Sequence, residues 1–300
     1  MALPGSLTCA TLNVRGLAHK RRQSQLYRLL TDLDIDVLAV QETKVDGDEE
    51  TRSMVQRYTT RYFAFVSHAV GMSAGCVLFV RKLPGLVVQE VKSGMAGRFV
   101  SCDVLFGSVE WRVVCVYAPN LVNDRTVFFE NIWQHLNTER IIILMGDFNC
   151  VLSSRDKTSA RAYRDSSTDI LAQVINECNL ADVEECLEGT REVQYTHFQG
   201  SSHARLDRIY LALDLIEKCE DYSVMPVSFS DHCLVQCRIG GQKRRNGFTW
   251  ELWKLNAKLL QDEVFVEDVE DRIKEMEGDQ NNLGEKWELC KQEIKMKAIE

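Results

Sequence analysis

Residues 141–149 read Ile141-Ile142-Ile143-Leu144-Met145-Gly146-Asp147-Phe148-Asn149. Five apolar positions without a polar break, three of them β-branched, predict a strand buried on both faces. Gly146 then lets the backbone turn, and Asp147 and Asn149 emerge at the strand's end, where open sheets place their chemistry. Similar runs at 7–12 and 37–40 end at Asn13 and at Gln41-Glu42. Strand-like runs follow at 61–67, 75–81, 86–92, 98–105 and 109–117, with Gly- or Pro-containing turns between them, and again at 206–211, 222–225 and 233–239. Helical spacing marks 22–33, through Leu26, Leu29, Leu30 and Leu33, and 126–137, with Phe128, Phe129, Ile132, Trp133 and Leu136 on its apolar side. Further helices are expected at about 48–58 and 168–178, with a polar loop over 150–167. Helices set between many strands predict an α/β sandwich.

The pattern changes after Ile239. Gly240-Gly241-Gln242-Lys243-Arg244-Arg245-Asn246-Gly247 reads as a linker, placed at 240–249. Residues 250–300 then look helical, with Leu252, Leu255, Leu259, Val266, Val269, Ile273 and Met276 as an apolar stripe. A further helical run at 283–299 reaches Glu300 without a stop signal. The expected organisation is a domain at 1–239, the linker, and a helical segment that begins a longer polyprotein.

Composition adds few constraints. With 45% hydrophobic and 27% charged residues, 300 residues suffice for a sizeable core. No apolar run approaches a membrane span, and Met1-Ala2-Leu3-Pro4-Gly5 lacks the regions of a secretory signal, so an intracellular protein without a membrane partner is expected. The eleven cysteines are scattered, with no CxxC pair and no Cys/His zinc spacing. Reduced thiols in a core explain them better than a disulfide framework. A net charge of −8 argues against coating nucleic acid through bulk charge. Local clusters still steer anions: Lys20-Arg21-Arg22; Arg155, Lys157, Arg161 and Arg164; and Lys243-Arg244-Arg245.

Short polar motifs recur at the strand ends: Leu12-Asn13-Val14-Arg15-Gly16, Gln41-Glu42-Thr43-Lys44, Val116-Tyr117-Ala118-Pro119-Asn120, Gly146-Asp147-Phe148-Asn149 and Ser230-Asp231-His232. Arg205-Leu206-Asp207-Arg208 places Asp207 within a strand. Singly, each has an ordinary reading: Asn13 and Asn149 as turn residues, Glu42 as a solvated loop end, Asp207 as a surface partner of Arg205 or Arg208. Together they supply what phosphoester hydrolysis needs. A hard cation held by carboxylates neutralises the phosphate oxygens, and Glu42 and Asp231 are the candidate ligands, with Asn13 and Asp147 adjoining. Asp147 or His232 deprotonates a water, and Asp207 orients the imidazole. Asn149, Asn120 and the Tyr117 hydroxyl are neutral donors for the developing charge, each typically worth ~3 kcal/mol in rate.

The ordered set LNVRG, QETK, VYAPN, GDFN, RLDR and SDH resembles the endonuclease/exonuclease/phosphatase superfamily, which includes DNase I, exonuclease III and the apurinic/apyrimidinic endonucleases. The resemblance covers roughly residues 6–239. It implies a four-layered α/β sandwich, two packed mixed β-sheets flanked by helices, with a Mg²⁺-dependent site at one edge where Mn²⁺ can substitute. It assigns metal and catalytic positions to Asn13, Glu42, Asp147, Asn149, Asp231 and His232. Tyr117 and Asn120 match phosphate-contacting positions, Asp207 the partner of the catalytic histidine, and Thr196 a position that holds the substrate strand, with Ser230 placed beside them. The segment from Trp253 to Leu260, with Phe265-Val266, is similar to the segment that follows the endonuclease domain in non-LTR (long interspersed element type) retrotransposons, and Arg205-Leu206-Asp207-Arg208-Ile209-Tyr210 resembles the same branch. That branch implies nicking of double-stranded target DNA, a 3′-hydroxyl that primes a downstream reverse transcriptase, and at least transient residence in the nucleus. An apurinic or exonuclease III-like repair enzyme is the alternative, although His197 and Ala204 stand where the abasic-sugar cage would be aromatic. Inositol-polyphosphate phosphatases carry Trp where this chain has Leu206. A catalytically silent nucleic-acid-binding module would require a broken site.

Overall fold

The computed structural model describes residues 6–159, 165–187, 193–240, 262–277 and 294. The chain divides into two compact units, Met1–Arg244 and Arg245–Glu300. The first holds two six-stranded mixed sheets. One sheet contains β1 (Leu7–Asn13), β2 (Val37–Gln41), β3 (Tyr62–Ser67), β4 (Cys76–Arg81), β13 (Cys219–Pro226) and β14 (Cys233–Ile239), in the order β13-β14-β1-β2-β4-β3. The other contains β5 (Leu86–Gly94), β6 (Phe99–Phe106), β7 (Val109–Tyr117), β8 (Ile141–Asp147), β9 (Leu180–Asp182) and β12 (Asp207–Ala212), in the order β5-β6-β7-β8-β12-β9. Each sheet has one parallel pair near its middle, β1 with β2 and β7 with β8.

The alternation of side chains along a strand explains the layering. On β8, Ile143 and Met145 enter the core shared by both sheets with Cys9, Ala39, Leu78 and Cys115, while Ile142 and Leu144 face the opposite way. There they meet Phe128, Phe129 and Ile132 of α3 (Val122–Leu136) and Leu171 and Val174 of α4 (Ser166–Glu177). On the other outer face, Leu12, Leu38 and Phe79 cover Leu26 and Leu30 of α1 (Lys20–Asp32) and Met54 of α2 (Asp48–Val55). The result is the expected four-layered sandwich: helix, sheet, sheet, helix.

Local differences have physical causes. α3 begins at Val122 rather than 126, its first turn secured by the buried Arg125 guanidinium, which donates to the carbonyls of Pro119 and Asn120 and to Asp165. Trp133 is 38% exposed and does not join that helix's apolar face. α4 begins at Ser166 because Asp165 caps it, with Thr168 closing a reciprocal box. Five short elements escape the hydrophobic pattern: β9, α5 (Val183–Leu187), α6 (Leu213–Ile216) and the two strands of a hairpin, β10 (His197–Gln199) and β11 (Ser202–Ala204). The described cysteines form no disulfide.

In the second unit, α7 (Glu263–Glu277) has Phe265 buried and Val266, Val269 and Ile273 partly covered. Leu252, Leu255 and Leu259, all of the linker but Gly240, the Trp253–Leu260 segment and the 283–299 run except residue 294 lie outside the described residues. So do Arg161, Arg164 and Lys243-Arg244-Arg245. No described helix is long and apolar enough to cross a membrane.

Candidate active site

Both parallel pairs end at one edge of the sandwich. In register, Asn13 stands opposite Gln41, and Tyr117 opposite Asp147. Antiparallel β12 starts with Asp207 opposite Asp147. Glu42 follows β2 directly with φ +53°, and Asn149 has φ +49°. Left-handed backbone at non-glycine residues collects at sites the surrounding structure over-determines.

Asn13 ties the two sheets together. Its buried side-chain NH2 donates to Glu42 Oε1 at 3.0 Å and to Asp147 Oδ2 at 2.9 Å. Glu42 also accepts from the Tyr117 hydroxyl at 2.8 Å and pairs with Lys44 at 3.0 Å. Burial pushes the Glu42 carboxyl up, but hydrogen bonds from Asn13, Tyr117 and Lys44 outweigh it, so the group lies below its usual value. Tyr117 is raised by burial and by the Glu42 charge, which keeps its proton available to donate. The Asn149 N–H donates to Asp147 Oδ1 at 2.9 Å and its side-chain amide to the Ala118 carbonyl at 2.7 Å.

A second chain of contacts reaches Asp147 from the other side. Thr196 Oγ1 accepts from the N–H groups of Leu206 and Asp207, both at 3.0 Å, and donates to Asp207 Oδ2 at 2.7 Å. The same carboxylate oxygen holds His232 Nδ1 at 2.8 Å, and His232 Nε2 lies 3.9 Å from Asp147 Oδ2. All four side chains are buried. Burial alone would lower the imidazolium, yet Asp207's charge and hydrogen bond, aided by Asp147 and Asp231, hold His232 up at about 9. Burial and the Asp207 charge push Asp147 up to about 7, against the pull of His232, Asn13 and Asn149. Ser230 Oγ donates to the Asn13 carbonyl at 2.7 Å and accepts from the His232 N–H at 3.1 Å, joining both halves.

Nearly all residues singled out in the sequence meet here: Asn13, Glu42, Tyr117, Asp147, Asn149, Thr196, Asp207, Ser230, Asp231 and His232. Asn120 does not join their hydrogen-bond network. It is exposed, and its backbone carbonyl serves Arg125. Three neighbours were given no metal or catalytic role from the sequence. Arg15 pairs with Asp231, Lys44 with Glu42, and His197 lies with Nε2 3.6 Å from Asp231 Oδ2 and its ring 4.6 Å from that of His232. Arg15 and Lys44 sit inside quoted motifs, so that signal was present; His197 was named only for the abasic-sugar position, and it opens a strand, β10, too short to recognise.

Asp207 is not a surface partner of Arg205 or Arg208. Both arginines are fully buried. Arg205 reaches Asp156 and Asp182, each at 2.8 Å, and Arg208 reaches the same two carboxylates at 2.9 and 2.8 Å. Asp156 also accepts from the N–H groups of Leu152 and Ser153. This charged cluster anchors the loop after Asn149 against the strand that carries Asp207.

The donor set suits a divalent cation. Ligand atoms of Asp147, Asp207 and His232 lie within 4.8 Å of one another, as do those of His197, Asp231 and His232. Asp207 Oδ1 and Asp231 Oδ1 are buried without a hydrogen-bond partner, and unmatched carboxylate oxygens of this kind call for a cation. Glu42, Asp147 and Asp231 supply the hard oxygens that Mg²⁺ or Mn²⁺ prefers.

Comparison with known proteins agrees with this fold. Residues 10–232 match the model of the Endonuclease/Exonuclease/phosphatase family. The chain is 27% identical to the "Transposon TX1 uncharacterized 149 kDa protein" of Xenopus laevis, over an alignment that takes in 97% of this chain and 22% of that protein's length. The fold is that of AP endonuclease LMAP from Leishmania major, with a TM-score of 0.69 and 18% identity, covering 79% of this chain and 89% of that one. An AP endonuclease from Archaeoglobus fulgidus gives 0.65 and 17%, covering 77% and 98%. The 3′ phosphatase NExo from Neisseria, bound to a product DNA hairpin, gives 0.62 and 19%, covering 78% and 99%.

Proposed function

The chain belongs to the endonuclease/exonuclease/phosphatase family, and from that premise we propose that it is a Mg²⁺-dependent endonuclease that nicks double-stranded DNA. The observation that carries this reading is the meeting, at one edge, of Glu42 and Asp147 through the Asn13 amide with the chain Thr196–Asp207–His232. When bound, Mg²⁺ supplies charge neutralisation for the phosphate and the departing oxygen. Glu42, Asn13, Asp147, Asn149, Asp231 and His232 are the residues that would hold it or adjoin it.

The remaining work falls to side chains. Water attacks phosphorus, the bond from phosphorus to the 3′-oxygen breaks, and the products are a 3′-hydroxyl and a 5′-phosphate. Asp207, fixed by Thr196, keeps His232 turned so that Nε2 faces Asp147, and this pair takes the proton of the attacking water. The Tyr117 hydroxyl and the Asn149 amide, with Asn120 nearby, are donors for charge that grows on the phosphate. Thr196 and Ser230 hold the frame against which the substrate strand lies.

Similarity to a transposon protein supports a retroelement role. In this reading residues 1–239 form the nuclease, 240–249 a linker, and 250–300 a helical segment leading to a reverse transcriptase that extends the new 3′-hydroxyl in the nucleus. An apurinic endonuclease is the second reading, favoured by the fold shared with such enzymes. Against it, His197 and Ala204 stand opposite each other in the β10–β11 hairpin, where an aromatic cage would otherwise be. The deciding experiment uses supercoiled plasmid and an oligonucleotide duplex with one abasic site, each with Mg²⁺ and with chelator. Relaxation of the plasmid that Asp147→Ala abolishes, with little abasic preference, is the expected result. Cleavage confined to the abasic duplex would move the protein into repair, and salt-dependent binding without cleavage would make it a binding module.

A further inference from the structure

We infer that His197, Asp231 and His232 form a second cation position, which shares Asp231 and His232 with the oxygen-rich set around Glu42 but adds the His197 nitrogen, and that it takes a borderline transition-metal dication of the Zn²⁺ class rather than Mg²⁺. Each of the three offers one ligand atom, and these atoms lie within 4.8 Å of one another. Two imidazoles and one carboxylate, with a fourth position open, make a common protein donor set for zinc. Imidazole nitrogen favours zinc, copper and nickel, whereas Mg²⁺ selects oxygen and keeps its waters.

The position is built before any ion arrives. His197 and His232 face each other across an antiparallel bridge. The Phe198 N–H donates to the Asp231 carbonyl at 3.1 Å, and the Cys233 N–H to the Thr196 carbonyl at 2.7 Å. These bonds fix the two backbones on both sides of the side chains. Asp207 holds His232 Nδ1 at 2.8 Å and is held in turn by Thr196. A metal-binding histidine ordinarily donates its other ring N–H to such a carboxylate, which sets the ring and raises its basicity. The Oδ1 atom of Asp231 is buried without a partner, while Arg15 occupies Oδ2. Donors around one tetrahedral zinc lie roughly 3.4 Å apart, from Zn–N bonds of about 2.1 Å. Ligand atoms spread over as much as 4.8 Å therefore close by small side-chain rotations. His197 and Asp231 are half-buried, so both the ion and the fourth ligand can reach them.

Occupancy would commit His232 Nε2 to the metal and take it away from Asp147. Low Zn²⁺ would then arrest cleavage in the presence of excess Mg²⁺, a consequence that rests on the proposed nuclease reading. The binding itself does not, and the test reads binding alone.

The full chain is titrated with Co²⁺, whose visible d–d absorption reports four-coordinate nitrogen and oxygen ligation. One intense spectrum per chain is expected, displaced by equimolar Zn²⁺ but not by a large excess of Mg²⁺. His197→Phe, which keeps the ring contact with His232 and removes the nitrogen, should weaken Co²⁺ binding at least 100-fold, whereas Glu42→Gln should leave the spectrum in place. Asp207→Asn should weaken it by about 10- to 100-fold, the usual cost of losing an orienting partner. In the unsubstituted chain, Co²⁺ should broaden the NMR signals of two of the six histidines, His197 and His232, before the others. A spectrum that survives His197→Phe, vanishes in Glu42→Gln, yields to Mg²⁺ or never appears would overturn the inference. A chain that binds Co²⁺ this way but cuts nothing would leave it standing and remove the nuclease reading.

Discussion

Asp156→Asn is the substitution with the largest expected effect away from the reacting groups. The carboxylate is fully buried and accepts four hydrogen bonds, from Arg205 at 2.8 Å, Arg208 at 2.9 Å, and the Leu152 and Ser153 N–H groups at 3.0 and 2.9 Å. The amide would keep one acceptor oxygen and turn an NH2 toward a guanidinium. Arg208 would then keep Asp182 as its carboxylate partner, shared with Arg205, which also holds Glu184 and Glu185. Breaking one partner of a buried network costs about 3–5 kcal/mol, because the charge left behind is not resolvated. At about 2–4 °C per kcal/mol for a domain of this size, the melting point should fall by roughly 6–20 °C. Acidity supplies an internal control. Burial pushes Asp156 up, but Arg208 and Arg205 outweigh it and hold the carboxyl far below its usual 3.8. A depressed native value contributes stability that is fully present above pH 3.8 and is lost as pH falls toward the native value. The gap between parent and Asp156→Asn should therefore be widest near pH 7 and narrow below pH 3.8. Urea titrations at pH 7 and pH 3 measure it. A loss under about 1 kcal/mol at pH 7, or an equal gap at both, would refute the argument.

Three further substitutions test other links. A Cβ on Gly146 would sit 2.0 Å from the Val116 carbonyl oxygen, so Gly146→Ala should destabilise by more than about 3 kcal/mol; an unchanged melt would show that the β7–β8 pair yields easily. Thr196→Val keeps the branched shape but removes the donor to Asp207 and the acceptor for two buried N–H groups, which should cost about 3 kcal/mol. Equal stability by chemical denaturation would demote that hydroxyl. Tyr117→Phe removes the 2.8 Å bond to Glu42; turnover on plasmid should drop by about 10- to 100-fold with little change in KM, and an unaltered rate would take Tyr117 out of the reaction.

The sequence made the fold legible wherever a period was long enough to read. The apolar run 141–145 becomes β8 with alternate residues in two different cores, as its lack of polar breaks requires. Motif order and strand placement, with the family resemblance supplying Thr196, also named ten residues that the structure brings together. What stayed hidden was of three kinds. Three-residue strands such as β9, β10 and β11 carry no usable period. Arg205 and Arg208 read as surface charge because hydropathy prices a buried, fully paired guanidinium the same as a solvated one, and only the positions of Asp156 and Asp182 reveal the difference. The basic group after β8 read as charge that steers anions, and the structure adds that Arg155 pairs with the buried Glu184 at 3.6 Å while Lys157 bridges the backbone of Ala204.

The site depends on two sheets meeting, and Asn13 shows why an amide stands at the junction. Its NH2 contacts Glu42 from its own sheet and Asp147 from the opposite one. Its Oδ1 accepts the Arg15 N–H at 3.1 Å, and its carbonyl accepts Ser230 Oγ. A carboxylate here would place a third negative charge about 3 Å from two others, each repulsion strengthened by burial. An apolar residue would leave two acidic groups facing one another with no donor between them. An amide alone donates to both carboxylates while its oxygen serves the adjoining turn. The same argument separates the two halves of the edge. Around Asn13 the donors hold the carboxylate oxygens that the proposed function assigns to a hard cation. Around Asp207 they fix an imidazole, so that in the proposed reaction proton handling and charge neutralisation are anchored by different strands, which meet at Asp147 and are tied again through Ser230.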